Sequence, residues 1–227
     1  MIKVYFHHTP NPLKVVLFLE ETGLDYELVP VDIYKGEQHF PAYLAINPNG
    51  KVPAIVDGDV VMFDSNAILL YLAEKTGKFL GASTDRPQLL SWLMFVASGL
   101  GPFGGQAVHF RRFHTDSPYA ANRYRREVER HYAVLDGRLA DRTYIVGDDY
   151  TIADIAAWGW IRRAEFVLGR ERPLDTTLHL KRWFEQVDAR SAAARASALG
   201  GGNGFKADDR DDAALEALFP LARPQAA

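Results

Sequence analysis

The sequence predicts an α+β domain followed by an all-helical domain, and three observations support this prediction. Short strand patterns alternate with helical spacing in the first 78 residues, and a hairpin signal lies at 57–59. The long segments after the first third of the chain have the apolar spacing of helices only. We therefore expect an α+β domain at 1–78, a linker at 79–86, an all-helical domain at 87–200 and a C-terminal tail at 201–227.

The chain begins with a strand, a helix and a second strand. Apolar residues alternate with other residues at 2–6, which is a strand pattern. In the segment 9–12, Asn11 is expected to cap the first helix and Pro12 to take its first helical position. The strand pattern that follows contains Pro30. Proline cannot donate to a strand ladder, so this strand is expected at an edge of the sheet.

A loop with a short helix at 35–46 leads to the hairpin and to another helix. Two short apolar runs flank the turn 57–59. The second run passes into Asp64 and Ser65, which open a helix, can cap it and offer an anion site at its free N–H groups. The order is then βαβ, α and ββα. A crossover joins parallel strands and the hairpin adds an antiparallel pair, as a thioredoxin-like sheet requires.

The second part of the chain is expected to be helical. Thr151 and Asp154 form a capping box. A glycine-rich run at 200–204 predicts a flexible break, and Leu218 and Phe219 help the tail to dock on the rest of the protein. The expected helices lie at 86–100, 119–139, 155–168 and 172–189.

The composition excludes several classes of function. The chain has 227 residues, 48% hydrophobic and 24% charged, with a formal net charge of −3. No general basic field attracts nucleic acid or an acidic membrane. The absence of cysteine removes disulfides, cysteine-ligated zinc and a cysteine nucleophile. The first apolar run is too short for a signal peptide, and no run approaches the roughly 18 residues of a membrane span, so we expect a cytoplasmic protein.

Other motifs give weak or negative signals. The stretch 99–104 fits the string G-x-G-x-x-G, but it follows a helix rather than a strand, so a kink or a close-packed stretch lining a cleft is expected instead of a dinucleotide site. The seven histidines show no recognised metal spacing, and no metal is expected. His109 and His114 are expected at the surface or in a cleft. No G-x-S-x-G motif supports a serine hydrolase.

The central segment resembles the glutathione-binding half of the cytosolic glutathione transferases. The resemblance rests on Val52-Pro53-Ala54, the hairpin, and an acidic residue followed by Ser65 at a helix start. It extends through the order of elements over nearly the whole chain. It implies the two-domain glutathione transferase fold, a homodimer and glutathione as co-substrate. It also implies a cis bond before Pro53, pairing of the Val52 backbone with the cysteinyl part of glutathione, and a site for the γ-glutamyl end at Asp64 and Ser65.

The same resemblance suggests contacts for the remaining carboxylate groups of glutathione. Gln38 and Lys51 are candidates for the glycine end, since Lys51 immediately precedes Val52. Arg123 belongs to a basic cluster that could contact glutathione carboxylates. The alternative for this cluster is a solvated helix face with ion pairs, because Glu127 and other acidic residues interleave it.

The residue that activates the glutathione thiol has two candidate positions. Thr9-Pro10-Asn11 is similar to the bacterial Nu-class members, which are disulfide-bond oxidoreductases without a cysteine nucleophile, and this implies that Thr9 and Asn11 contact the sulfur. Tyr5 is the rival, because it lies in the first strand where tyrosine-type transferases place their catalytic residue. Asn11 could also act only as a helix cap.

Three functions are therefore considered. The leading hypothesis is glutathione-dependent reduction of small or mixed disulfides, with the thiolate of bound glutathione as nucleophile. The first alternative is conjugation of glutathione to a small electrophile. The second alternative is a glutathione-binding or interaction protein without catalysis, since a fold alone never establishes a function.

Overall fold

The computed structural model describes residues 1–199 and 212–220 of the chain. Its four strands are β1 Ile2–Phe6, β2 Tyr26–Pro30, β3 Ala54–Asp57 and β4 Val60–Phe63. They form one sheet in the order β2-β1-β3-β4, in which β1 and β2 are parallel and the other two pairs are antiparallel. The thioredoxin-like sheet is confirmed. β2 lies at an edge and Pro30 is its last residue, as the missing proline donor requires.

The first helix starts earlier than the sequence pattern suggests. The helices of this part are α1 Pro10–Thr22, α2 Pro41–Leu44 and α3 Ser65–Thr76. Thr9, not Asn11, is the N-cap residue of α1, and Pro10 takes the first helical position. The prediction that Asn11 caps this helix is therefore wrong. Both prolines fit the first turn, because N–H groups there have no partner within the helix. The earlier start places Asn11 inside the first turn.

The start of α3 agrees with the expectation. Asp64 has a left-handed φ of 69°, and its side chain caps the helix. Its Oδ1 accepts hydrogen bonds from the backbone N–H groups of Asn66 at 2.9 Å and Ala67 at 3.1 Å. Two of the unpaired donors at this helix end are thereby satisfied. Ser65, the first residue of the helix, is buried beside this cap.

The remaining described elements are helical. Segments of π-helix at Val96–Leu100 and His109–Phe113 flank the short helix between them. The helices are α4 Arg86–Phe95, α5 Gly101–Val108, α6 Pro118–Arg138, α7 Ile152–Ile161, α8 Ala164–Leu168, α9 Leu178–Asp188, α10 Ser191–Ala198 and α11 Asp212–Leu218. Within the described ranges, no helix is both long and apolar enough to cross a membrane.

Several boundaries differ from those expected. The helix expected at 155–168 is divided into α7 and α8 by a turn at Arg162 and Arg163. The helix expected from 172 begins only at Leu178. α10 was not expected, because its apolar residues are all alanine and give no periodic pattern of large side chains. The glycine run at 200–204 lies outside the described residues.

One apolar core joins the sheet to the helical part. α1 packs against α7 and α10, and Phe18 and Trp158 are fully buried in the shared core. The capping box is present at the start of α7. The buried Asp154 carboxylate accepts hydrogen bonds from the Thr151 and Ile145 backbone N–H groups and from Trp183 Nε1, at 2.8 to 2.9 Å. This network fixes α7, which carries the residues that face the loop after β1.

The glycine-rich stretch 99–104 is a close-packed part of a helix, as expected. A Cβ added at Gly104 would lie 2.7 Å from Cε3 of Trp160. Real Cβ contacts are longer, so only glycine lets α5 approach the indole this closely. Gly101 and Gly105 line a cavity beside it. The dinucleotide alternative finds no support in this environment.

Candidate active site

Two cavities meet at the N-terminal end of α1. The first has a volume of about 300 Å³, lies against the loop after β1 and is bounded by residues of α5, α7, α8 and α11. The second, of about 340 Å³, lies at the start of α3. Four residues line both cavities: Asn11, Gly105, Gln106 and Trp160. A ligand that spans the two cavities must therefore pass Asn11.

A long-range hydrogen bond fixes the side chain of Asn11. Trp160 Nε1–H donates to Asn11 Oδ1 at 2.9 Å. The two residues are 149 positions apart in the sequence, so this contact depends on the packing of α1 against α7. Because the oxygen of the amide is engaged by the indole, the NH2 group is the end left to donate. Within the described ranges it forms no hydrogen bond with the protein. The arrangement presents a fixed donor where the two cavities join.

Thr9 supplies a second potential donor, a hydroxyl group, to the same cavity as Asn11. It lines the first cavity, and its side chain does not cap α1. Its backbone N–H donates to the carbonyl of His7 at 2.7 Å, which holds the loop after β1 in place. Tyr5, by contrast, is not among the residues that line either cavity. It packs edge-on against Tyr43 with ring centroids 5.7 Å apart, on the other face of β1 from Val4.

The segment before β3 is held in a defined conformation. The Val52-Pro53 bond is cis, as the family resemblance implies. Val52 and Lys51 line the first cavity. The carbonyl of Lys51 accepts hydrogen bonds from Tyr43 Oη at 2.6 Å and from Asn47 Nδ2 at 2.5 Å. These bonds fix the backbone from which a peptide ligand would be recognised by main-chain pairing.

A buried lysine lies beneath the start of α3 and was not predicted from the sequence. Lys14 is 1% exposed, and its Nζ donates to Ser65 Oγ at 3.3 Å. Burial lowers the pKa of Lys14 to about 7, against the opposing attraction of Asp64. Lys14 follows Asn11 by three positions, so both lie on one side of α1. The second cavity is therefore lined by a helix start, a carboxylate, a hydroxyl and a buried amine.

Gln38 lines the first cavity but already has a partner in the chain. Its Nε2 donates to the backbone carbonyl of Ala217 in α11 at 2.8 Å, and His39 Nε2 lies 3.2 Å from the same oxygen. Gln38 Oε1 is buried and has no hydrogen-bond partner among the described groups. Leu218 and Phe219 complete the wall of the cavity. Sequence patterns gave no sign that the tail reaches Gln38.

The structure does not bring Arg123 to either cavity. Its side chain is exposed on α6 and pairs with Glu127 at 2.5 Å. This is the ion-paired helix face that was the alternative for the basic cluster. Of the two histidines considered, His109 lines the first cavity and His114 is exposed and lies 3.1 Å from Asp116. No group of three His, Asp or Glu side chains in the described part of the chain could hold a metal ion.

Comparisons with known proteins show the family of this chain. The models for the N-terminal and C-terminal domains of glutathione S-transferase match residues 2–74 and 118–186. The chain is 44% identical over 207 residues to disulfide-bond oxidoreductase YfcG of Escherichia coli (strain K12), covering 86% of this chain and 94% of that protein. It is 36% identical to disulfide-bond oxidoreductase YghU of the same strain over 222 residues, 89% of this chain and 76% of that protein.

Solved structures with bound ligands are also similar. A glutathione transferase from Burkholderia graminis, with two glutathione molecules per subunit, has a TM-score of 0.79 and 35% identity over 86% of this chain and 87% of that one. A glutathione transferase from Pseudomonas putida, with one glutathione disulfide per subunit, has a TM-score of 0.80 and 33% identity. The match covers 86% of this chain and 90% of that one. The family resemblance inferred from the sequence is confirmed. The chain belongs to the glutathione transferase family.

Proposed function

We propose that the protein is a glutathione-dependent disulfide-bond oxidoreductase. The observation that carries the proposal is the Asn11 amide, whose oxygen is held by Trp160 and whose NH2 lies where the two cavities join. A thiol such as that of glutathione has a pKa near 8.5 and is only a few per cent ionised at neutral pH. Fixed donors from Asn11 and Thr9 would stabilise the thiolate and lower that pKa.

The rest of glutathione is assigned to the groups around this donor. The γ-glutamyl end would lie in the second cavity, with its carboxylate at Ser65 and the start of α3 and its amine at Asp64. Lys14 places an amine beneath the same carboxylate. The Val52 backbone would pair with the cysteinyl part, and Lys51 would face the glycine carboxylate. One N–H of the Gln38 amide donates to the carbonyl of Ala217, so Gln38 would reach that end with its second N–H.

The reaction needs no protein sulfur, and the chain contains no cysteine. The thiolate of bound glutathione attacks one sulfur of a disulfide, forms a mixed disulfide and releases the other half as a thiolate, which takes up a proton. A second glutathione then attacks the mixed disulfide and releases the second half. Two glutathione molecules are oxidised to glutathione disulfide and one disulfide is reduced to two thiols. The bacterial relatives named disulfide-bond oxidoreductases support this assignment.

Conjugation of glutathione to an electrophile is the second candidate, and the apolar side of the first cavity favours it. Phe113, Phe166 and Phe219 line this cavity. One assay separates the two candidates: turnover of glutathione with hydroxyethyl disulfide and with an aryl halide, alongside calorimetric binding of glutathione alone. We expect turnover of the disulfide. Turnover of the aryl halide only would favour conjugation, and binding without turnover of either would favour a non-enzymatic role.

We also propose a homodimer that acts in the cytoplasm. Phe63 at the end of β4 and Met94 in α4 are both large apolar residues with 42% and 49% exposure. Their contact with a second copy would remove apolar surface from water. Sedimentation analysis tests the dimer, and exchange of Met94 for Glu is expected to weaken it.

A further inference from the structure

The first cavity carries charge of one sign only. Its lining includes Lys51, His109 and Arg163, and no Asp or Glu of the described residues lines it. Burial lowers the pKa of His109, so this ring is neutral at physiological pH. Lys51 lies beside Val52, at the position assigned to the glycine end of glutathione. Arg163 is the other charged residue of the lining, at the turn between α7 and α8.

Arg163 has no acidic partner in the parts of the chain that the structure describes, whereas its neighbour does. Arg162 pairs with Asp188 at 2.7 Å. Arg163 instead lies over the ring of Phe166, with 5.1 Å from Cζ to the centroid. Partial burial and the charge of Arg162 lower the pKa of Arg163, but a guanidinium remains charged throughout the physiological range. A half-buried cation without an anion costs free energy that a ligand carboxylate would recover.

The position of Arg163 relates it to the reacting sulfur. Trp160, which holds Asn11, precedes it by three residues, and the Arg163 backbone N–H donates to the carbonyl of Trp160 at 3.1 Å. Asn11, Trp160 and Arg163 all line the first cavity. A disulfide whose attacked sulfur lies at Asn11 therefore occupies the same cavity as the guanidinium of Arg163. Apolar side chains, including Phe166 and Val167, line the cavity beside it.

We propose that Arg163 binds a carboxylate on the half of the disulfide that is not the attacking glutathione, so that this site prefers anionic disulfides. The inference rests on the proposed function, because it describes the second substrate of the same reaction. A guanidinium and a carboxylate form charge-assisted, bidentate hydrogen bonds, which neither a hydroxyl nor an amine can replace. Arg163 is then a specificity-determining residue, and Asn11 remains the hydrogen-bond donor to the glutathione sulfur.

Three disulfides of similar length and different charge test the proposal. They are 3,3′-dithiodipropionate, hydroxyethyl disulfide and cystamine, which are anionic, neutral and cationic. For each, kcat/KM with glutathione is measured after subtraction of the uncatalysed rate. The wild type is expected to prefer the anion. Arg163→Gln should lower kcat/KM for the anion about tenfold or more, as expected for a lost hydrogen bond to a charged group, and for the neutral disulfide less than about twofold.

Arg112→Gln is the matched control. Arg112 also lies over Phe166, with Cζ 5.0 Å from the ring centroid, but it does not line the cavity. Its exchange removes the same charge and the same kind of aromatic contact. The control should keep the wild-type order of substrates. If Arg112→Gln lost the preference for the anionic disulfide to the same extent, that preference would come from the overall electrostatic field of the protein. This result would overturn the role of Arg163.

A binding measurement separates this inference from the proposed function. Calorimetry compares S-(2-carboxyethyl)glutathione with S-(2-hydroxyethyl)glutathione, neither of which reacts. The wild type should bind the carboxylate about tenfold more tightly, and Arg163→Gln should bind both alike. Equal wild-type affinities, or an unchanged ratio in the variant, would overturn the inference even if disulfides are turned over. Failure to turn over any disulfide would instead contradict the proposed function, whatever the binding ratio. If the variant does not fold, the wild-type ratio alone decides.

Discussion

Replacement of the buried Lys14 by Met should stabilise the free protein and weaken the binding of glutathione. The side chain is 1% exposed, and its amine has one hydrogen bond, to Ser65 Oγ at 3.3 Å. Burial lowers its pKa from 10.5 to about 7. That difference is about 3.5, and each pKa unit corresponds to about 1.4 kcal/mol. The buried charge therefore costs on the order of 5 kcal/mol at low pH. Loss of the bond to Ser65 offsets about 1 to 2 kcal/mol of the gain in Lys14→Met.

The free energy of unfolding of the wild type should depend on pH because of the buried Lys14 amine. Below pH 7 the amine is protonated in both the folded and the unfolded chain, and the folded protein carries the full penalty. Between pH 7 and 10.5 the unfolded chain binds a proton that the folded chain lacks, so the free energy of unfolding of the wild type rises with pH. The free energy of unfolding of Lys14→Met should exceed that of the wild type by a few kcal/mol at pH 6, and this difference should shrink towards pH 10. Urea unfolding at several pH values measures it.

Binding of glutathione should favour the protonated form of Lys14, which burial disfavours in the free protein. A γ-glutamyl carboxylate at Ser65 would add an anion beside Lys14, in addition to Asp64, and raise the pKa of Lys14, so binding at pH 8 should be coupled to proton uptake. Calorimetry with S-methylglutathione, which has no thiol proton, in buffers of different ionisation enthalpy measures the uptake. Lys14→Met should lose this uptake and about tenfold or more of the affinity. Any proton exchange that the two proteins share belongs to the ligand.

Two results would contradict the assigned role of Lys14. A Lys14→Met protein that is less stable than the wild type at pH 6 would mean that the buried amine stabilises the fold. Unchanged affinity and unchanged proton uptake would remove Lys14 from the glutathione site. Lys3→Met is the control, because Lys3 is an exposed strand residue. It should change neither stability nor binding by more than about 0.5 kcal/mol.

Two further predictions concern the same site and the fold. Ser65→Ala should weaken the binding of glutathione about tenfold, because it removes the hydroxyl that donates a hydrogen bond to a carboxylate at the helix start. Calorimetry showing wild-type affinity would exclude Ser65 from the site. Asp154→Ala should destabilise the protein by about 3 kcal/mol or more, because it leaves buried donors of Ile145, Thr151 and Trp183 without an acceptor. A urea midpoint within error of the wild type would contradict the assigned role of that capping box.

The sequence predicted those parts of the protein that local signals specify. The alternation in β1, the turn 57–59 and the Asp64 cap each depend on neighbouring residues, and all are present. The start of α1 was misplaced because Pro10 and Pro12 suit its first turn equally well. The outcome depended on packing that a four-residue pattern does not contain.

The parts of the site that sequence reasoning missed depend on contacts between distant residues. Trp160 reaches Asn11 across 149 positions, and Gln38 reaches Ala217 across 179. Lys14 left a local signal, a charged residue inside an apolar helix three positions after Asn11. The apolar spacing of α1 does not reveal the role of Lys14, because that periodicity depends on the hydrophobic positions alone. The positive charge of Arg123 suggested a contact with glutathione, but this charge is paired with Glu127, one turn along the helix.

The donor at Asn11, rather than the hydroxyl of Tyr5, is expected to stabilise the glutathione thiolate. Asn11→Asp tests it sharply, because Asp keeps an oxygen that can accept from Trp160 Nε1 and replaces the NH2 donor by a second oxygen. Since Asn11 is not the cap of α1, the exchange leaves the helix start unchanged. A carboxylate beside the sulfur should repel the thiolate and raise its pKa.

The decisive measurement is the pH–rate profile of glutathione-dependent disulfide reduction for the wild type, Asn11→Asp and Tyr5→Phe. Below the thiol pKa, each unit by which that pKa rises lowers the thiolate fraction tenfold. We expect Asn11→Asp to lose about tenfold or more of the rate at pH 7 and to recover part of it at higher pH, and Tyr5→Phe to remain within about twofold of the wild type. A wild-type profile for Asn11→Asp together with loss of most activity in Tyr5→Phe would contradict the claim and assign thiol activation to Tyr5.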